Sequence, residues 1–95
     1  MYIITEQIYK ELAAELCERI VLKDYFSGEV MVEAEDVECR LLLSLILYRA
    51  EDEIDGAKVK ILADIVPVWW EVHLLVDGQE MICDFDFQTF KSYLL

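Results

Sequence analysis

His73 is the only histidine in 95 residues, so it is where proton transfer or metal ligation would first be sought. It lies in WEVHLLV, with Glu71 on the same strand face, and Asp77-Gly78 follows as a two-residue hairpin turn. Pairing outward from that turn sets Leu75 opposite Glu80, His73 opposite Ile82, Glu71 opposite Asp84 and Trp69 opposite Asp86. Two carboxylates directly opposed across a sheet repel. A divalent cation held by Glu71, His73 and Asp84 would relieve the repulsion, since imidazole with carboxylates suits zinc, iron or nickel. The same residues could act as a general acid–base pair if a concave pocket enclosed them. Neither long loops nor glycine hinges are present to build one. The competing reading is an acidic strand in water, where like charges discourage edge-to-edge aggregation. No catalytic, cofactor-binding or metal-binding residue is therefore assigned from the sequence, and the chain is expected not to be an enzyme.

Other chemistry is sparse. Cys17, Cys39 and Cys83 are widely spaced, and each sits inside an apolar pattern. That favours buried free thiols in a reducing compartment over a disulfide framework, and no pair has zinc-ligand spacing. Phosphate-binding glycine loops, a Walker lysine, a nucleophile elbow and HExxH are absent from the sequence. Net charge is −12, from 20 acidic and 8 basic residues. Such a balance disfavours nucleic acid and anionic membrane surfaces, and suits a basic protein partner. The longest apolar run, 41–48, is too short to span a bilayer, and MYIITEQIYK lacks the pattern of a signal peptide. A cytoplasmic location is the expectation. At 57% hydrophobic with 3 Gly and 1 Pro, residues 1–95 read as one globular domain.

The elements that must carry these residues centre on 59–76, VKILADIVPVWWEVHLLV. Apolar positions are odd-numbered up to Ile65 and even-numbered from Val68, which would turn the core face outward midway. One extra residue at Val66 or Pro67 restores the register, so the spacing predicts a single strand bent by a bulge. Val68, Trp70 and Val72 should then share a face with Ile61 and Ile65. Ahead of it, Thr5 is a candidate N-cap, Ile4 and Tyr9 a hydrophobic staple, and Ile8, Leu12, Leu16 and Ile20 the stripe of a five-turn helix ending near Leu22 and Lys23. Val30, Val32 and Ala34, then Val37, Cys39, Leu41, Leu43, Leu45 and Leu47, read as two strands around a turn at Glu35 and Asp36. Ala50 to Gly56, AEDEIDG, reads as a polar connection. Phe87, Phe90 and Leu94 would line a short terminal helix of about nine residues capped by Asp86. The fold class is α+β: an N-terminal amphipathic helix on a curved, mainly antiparallel four-stranded meander, closed by a short C-terminal helix.

Such a sheet leaves one face uncovered. The outward positions include Met31, Leu42, Ile46, Tyr48, Leu62, Trp69, Leu75 and Ile82, too many large apolar groups for a short terminal helix to cover. Leu42, Tyr48 and Trp69 are the interface candidates, with Glu71, Asp84 and Asp86 at the rim. The expected function is a non-catalytic interaction domain that forms a homodimer through this face. Two alternatives stand beside it. One is an acidic inhibitor, an immunity protein or nucleic-acid mimic covering a basic site; the other is the small metal-dependent enzyme outlined above.

Overall fold

The computed structural model describes residues 1–34 and 36–95. It is α+β: helix α1 (Glu6–Arg19), strands β1 (Tyr25–Ala34), β2 (Val37–Ile54), β3 (Ala57–Val76) and β4 (Gln79–Met81), and helix α2 (Phe87–Ser92). The strands form one antiparallel sheet in the order β1-β2-β3-β4.

Helix α1 starts where its cap dictates. The Thr5 side chain accepts a hydrogen bond from the Ile8 amide at 3.2 Å, and Ile4 and Tyr9 are both buried beside it. Its buried stripe of Ile8, Leu12, Ala13 and Leu16, continued by Ile20, faces the sheet. The helix is 14 residues long, shorter than its apolar spacing suggests. The chain leaves it at Ile20 because Leu22 adopts a left-handed conformation (φ 57°), which no helix can continue through. Arg49 then donates to the Lys23 carbonyl at 3.1 Å and to the Ile20 carbonyl, tying the exit of α1 to β2.

On the inner sheet face, Phe26, Val30 and Val32 of β1 lie beside Leu45, Leu41 and Cys39 of β2, and all are buried. Ala34 pairs with Val37; Glu35, half of the expected turn, lies outside the described residues. Strand β3 runs unbroken through Pro67, as its composition predicts, but with two extra residues rather than one. The register to β2 steps from Ser44↔Trp69 to Leu45↔Pro67, making Val68 the bulged residue, and from Tyr48↔Asp64 to Arg49↔Leu62, bulging Ala63. The first bulge keeps Trp70, Val72 and Ile65 on the core side, as expected, although it falls just past the expected Val66 or Pro67. Val68 is itself the extra residue and is exposed. The second bulge reverses parity again, so Leu62 packs against the core and Ile61 turns to the outer face. Both assignments correct the sequence reading, in which Ile61 was inner and Leu62 outer.

AEDEIDG is not a loop. Strand β2 continues to Ile54, and Asp55 (φ 50°) and Gly56 (φ 80°) form the turn into β3. Asp77 (φ 52°) and Gly78 (φ 79°) repeat that geometry into β4, and both are the I′ turn that Asp-Gly favours.

Beyond Met81 the expected ladder stops. Leu74↔Met81 and Leu75↔Glu80 form as the turn dictates, but residues 82–86 peel away from β3. Their backbone groups find the N-terminal segment instead: Tyr2 donates to the Ile82 carbonyl at 2.8 Å and Asp84 to the Tyr2 carbonyl at 3.1 Å. This detour drops Phe85 and Phe87 onto the core, where they meet Trp70 at ring distances of 5.2 and 6.1 Å. Asp86 caps α2 as expected, accepting from the Thr89 amide at 3.0 Å. Helix α2 spans six residues, and Phe87 and Phe90 are its buried side.

Candidate interaction surface

The inner sheet face lies under α1, the peeled segment and α2; the outer face has no covering element among the described residues. Its rows follow from the register. Tyr25, Ile46 and Val66 form an all-apolar row in the middle of β2, with Trp69 on one side and Tyr48 on the other. Trp69 is 48% exposed, Tyr48 52% and Ile46 37%. Between them Ser44 is buried but satisfied, its hydroxyl 2.8 Å from that of Ser27 across the strand pair. Leu42 is half-buried and flanked in register by Glu29 and Glu71, so it marks the polar margin of the patch.

Strand β1 ends its pairing at Tyr25↔Ile46, whereas β2 and β3 continue to Ile54↔Ala57. The excess is a two-stranded arm, residues 49–62, which contributes to the elongated 51 × 25 × 18 Å shape. The arm is amphipathic in an unexpected sense. Arg49, Lys60 and Leu62 line one notch with Cys17, Ile20 and Leu22, which places them on the inner side. Alternation then puts Glu51, Glu53 and Lys58 on that side too, and leaves Ala50, Ile54, Val59 and Ile61 outward. The Ala63 bulge thus extends the apolar outer face along the whole arm, with Ile61 42% and Ile54 53% exposed.

The opposite end of the outer face is charged. His73 Nδ1 lies 2.7 Å from Glu80 Oε1, and His73 Nε2 lies 3.4 Å from Glu71 Oε2. The Glu80 hydrogen bond, followed by that to Glu71, pushes the imidazole pKa above its ordinary value. Arg40, opposite His73 in register, is 3.9 Å from Glu29 and 3.7 Å from Glu38. Both distances exceed hydrogen-bonding range.

Asp84 and Asp86 do not join this surface, which corrects the rim assignment. Asp84 Oδ1 accepts from the Ile4 amide at 2.7 Å, and Asp86 is committed to α2. Glu71 therefore faces no Asp84 across a strand, and Leu42 is its β2 neighbour. The repulsion that made Glu71, His73 and Asp84 a metal-site candidate does not arise, because β4 ends before Asp84. Among the described residues, no three His, Cys, Asp or Glu side chains converge as metal ligands. Glu80, the partner His73 does find, was legible: it pairs with Leu75, next but one to His73, on the same outer face.

Among the described residues, β3 pairs on its second side through Leu74, Leu75 and Val76 to β4. The rest of that edge carries Lys58, Lys60, Pro67 and the bulges at Ala63 and Val68, devices that discourage strand addition. No family model matches this chain, and neither does any curated protein or solved structure.

Proposed function

We propose that this chain is a non-catalytic interaction domain that pairs with a second copy of itself through the outer sheet face. The observation that carries the reading is the continuous exposed apolar strip from Trp69 through Ile46 and Tyr48 to Ile61. Apolar surface left in water forfeits about 25 cal/mol per Å² that burial would recover. A self-complementary patch related by a two-fold axis covers both copies at once, and aromatic residues such as Trp69 and Tyr48 are its natural anchors. Pro67 and the bulges at Ala63 and Val68 disfavour strand addition at the β3 edge.

Light scattering at micromolar concentration tests this. The expected mass is twice the 11.1 kDa chain mass, and Trp69→Glu should return it to one. A wild-type chain that stays monomeric across that range overturns the proposal.

A further inference from the structure

We infer that the two copies pair antiparallel, each laying the apolar side of its 49–62 arm over the charged end of the other sheet, with Asp52 of one copy facing Arg40 of the other. The inference rests on the face-to-face reading above and gives it an orientation.

A two-fold axis between stacked sheets can run along the strands or across them. Along the strands, the two charged ends coincide. Each presents Glu29, Glu38, Glu71 and Glu80 against Arg40 and His73, so acidic surface would meet acidic surface. Juxtaposed like charges are among the strongest penalties at an interface. Across the strands, each charged end meets an arm. The outward side of that arm carries Ala50, Ile54, Val59 and Ile61, and Asp52 is its one charged residue among those described.

The position of the axis follows from β2, which carries no inserted residue. Its outward positions run from Glu38 to Ile54, and Ile46 is their midpoint. An axis at Ile46 overlaps the two strands along their full length and centres the contact on the Tyr25–Ile46–Val66 row. Ser44 then meets Tyr48, Leu42 meets Ala50, and Arg40 meets Asp52. Arg40 is the one basic residue, besides His73, on this face among those described, and its carboxylate neighbours lie too far for hydrogen bonds. Asp52 carries its own Oδ1 to the Glu53 amide at 2.8 Å, leaving the other oxygen for a guanidinium.

Charge swaps test the orientation, read as the dimer dissociation constant from dilution series. Arg40→Glu should weaken the dimer ~10-fold or more, the loss expected for a contacting charge pair. Asp52→Arg should weaken it as well, although it lowers the net negative charge and on long-range grounds alone would tighten it. The double variant Arg40→Glu/Asp52→Arg should return most of the affinity, because each chain supplies both partners. Asp52→Arg that tightens the dimer, or a double variant no better than the worse single one, overturns the orientation. A dimer sensitive to Trp69→Glu but indifferent to both swaps removes the arm contact and leaves face pairing standing. A monomeric wild type removes both.

Discussion

His73 bridges two strands by accepting or sharing a proton with Glu80 of β4 and Glu71 of its own strand. Its raised pKa means that the folded chain binds this proton more tightly than an unfolded one, whose imidazole titrates near 6.5. The stabilisation is full below pH 6.5 and is lost as pH rises through the folded value. Imidazole resonances followed by NMR should give a midpoint above 6.5. Glu80→Gln should lower it more than Glu71→Gln, because the Glu80 bond is shorter and dominates the shift. A wild-type midpoint at or below 6.5 would contradict the geometry. The thiols separate just as clearly. Cys39 is fully buried, and desolvation, with Cys83 adding a smaller effect, pushes it up to about 12. Cys17 is exposed, with its thiol raised by partial burial, and Cys83 is half-buried. Thiol titration of the native protein should therefore label Cys17 first and leave Cys39 unreacted until the fold opens. Fast reaction of all three would exclude this packing.

At the scale of elements, the arm and the sheet body should differ in stability. Beyond its base at Arg49 and Leu62, the arm is largely exposed on both sides in one copy, so its cross-strand hydrogen bonds are held by little apolar burial. Its turn depends on Gly56 at φ 80°, where an added Cβ would touch nothing within 4 Å. Gly56→Ala therefore costs backbone strain and no clash, about 1–2 kcal/mol. Hydrogen exchange should show that loss in the amides of the arm and little elsewhere. Leu43 is fully buried on the inner sheet face, between Gly28 and Trp70 in register, and Leu43→Ala should cost about 2–5 kcal/mol in global denaturant unfolding. If Gly56→Ala lowered global stability as much as Leu43→Ala, the arm would be part of the core's cooperative unit. Gly28 illustrates the reverse case: a Cβ there would meet the Phe26 ring at 3.1 Å, so the glycine makes room for an aromatic folded over its own strand.

For the whole molecule, charge and apolar surface oppose one another. Two chains of −12 repel as they approach, while the face that would join them is largely uncharged at its centre. Raising salt from ~0.01 M to ~0.15 M shortens the screening length from about 30 Å to about 8 Å. The dimer should accordingly tighten over that range, with most of the gain in the association rate. A contact that weakened with salt would instead indicate attraction between opposite charges, as expected of an acidic inhibitor on a basic partner.

Local chemistry in the chain determined much of this architecture. Thr5 and Asp86 cap helices because their side chains reach amides three residues on, and Asp77-Gly78 turns because its backbone accepts positive φ. The alternation from Val37 to Leu47 could bury only one face. Asp55-Gly56 carried the same turn signal as Asp77-Gly78, yet the acidic run before it masked the strand, since charges at consecutive positions fall on both faces and suit a strand only where both faces are wet. Tertiary structure decided the rest. Where β4 ends depends on Tyr2, distant in sequence, competing for the backbone of Ile82 and Asp84, and that competition dispersed Glu71, His73 and Asp84. The second bulge at Ala63 is likewise invisible in a run of alternating apolar residues. It appears only once Leu62 must reach the core and Ile61 is left outside, and that single inserted residue gives the outer face its apolar arm.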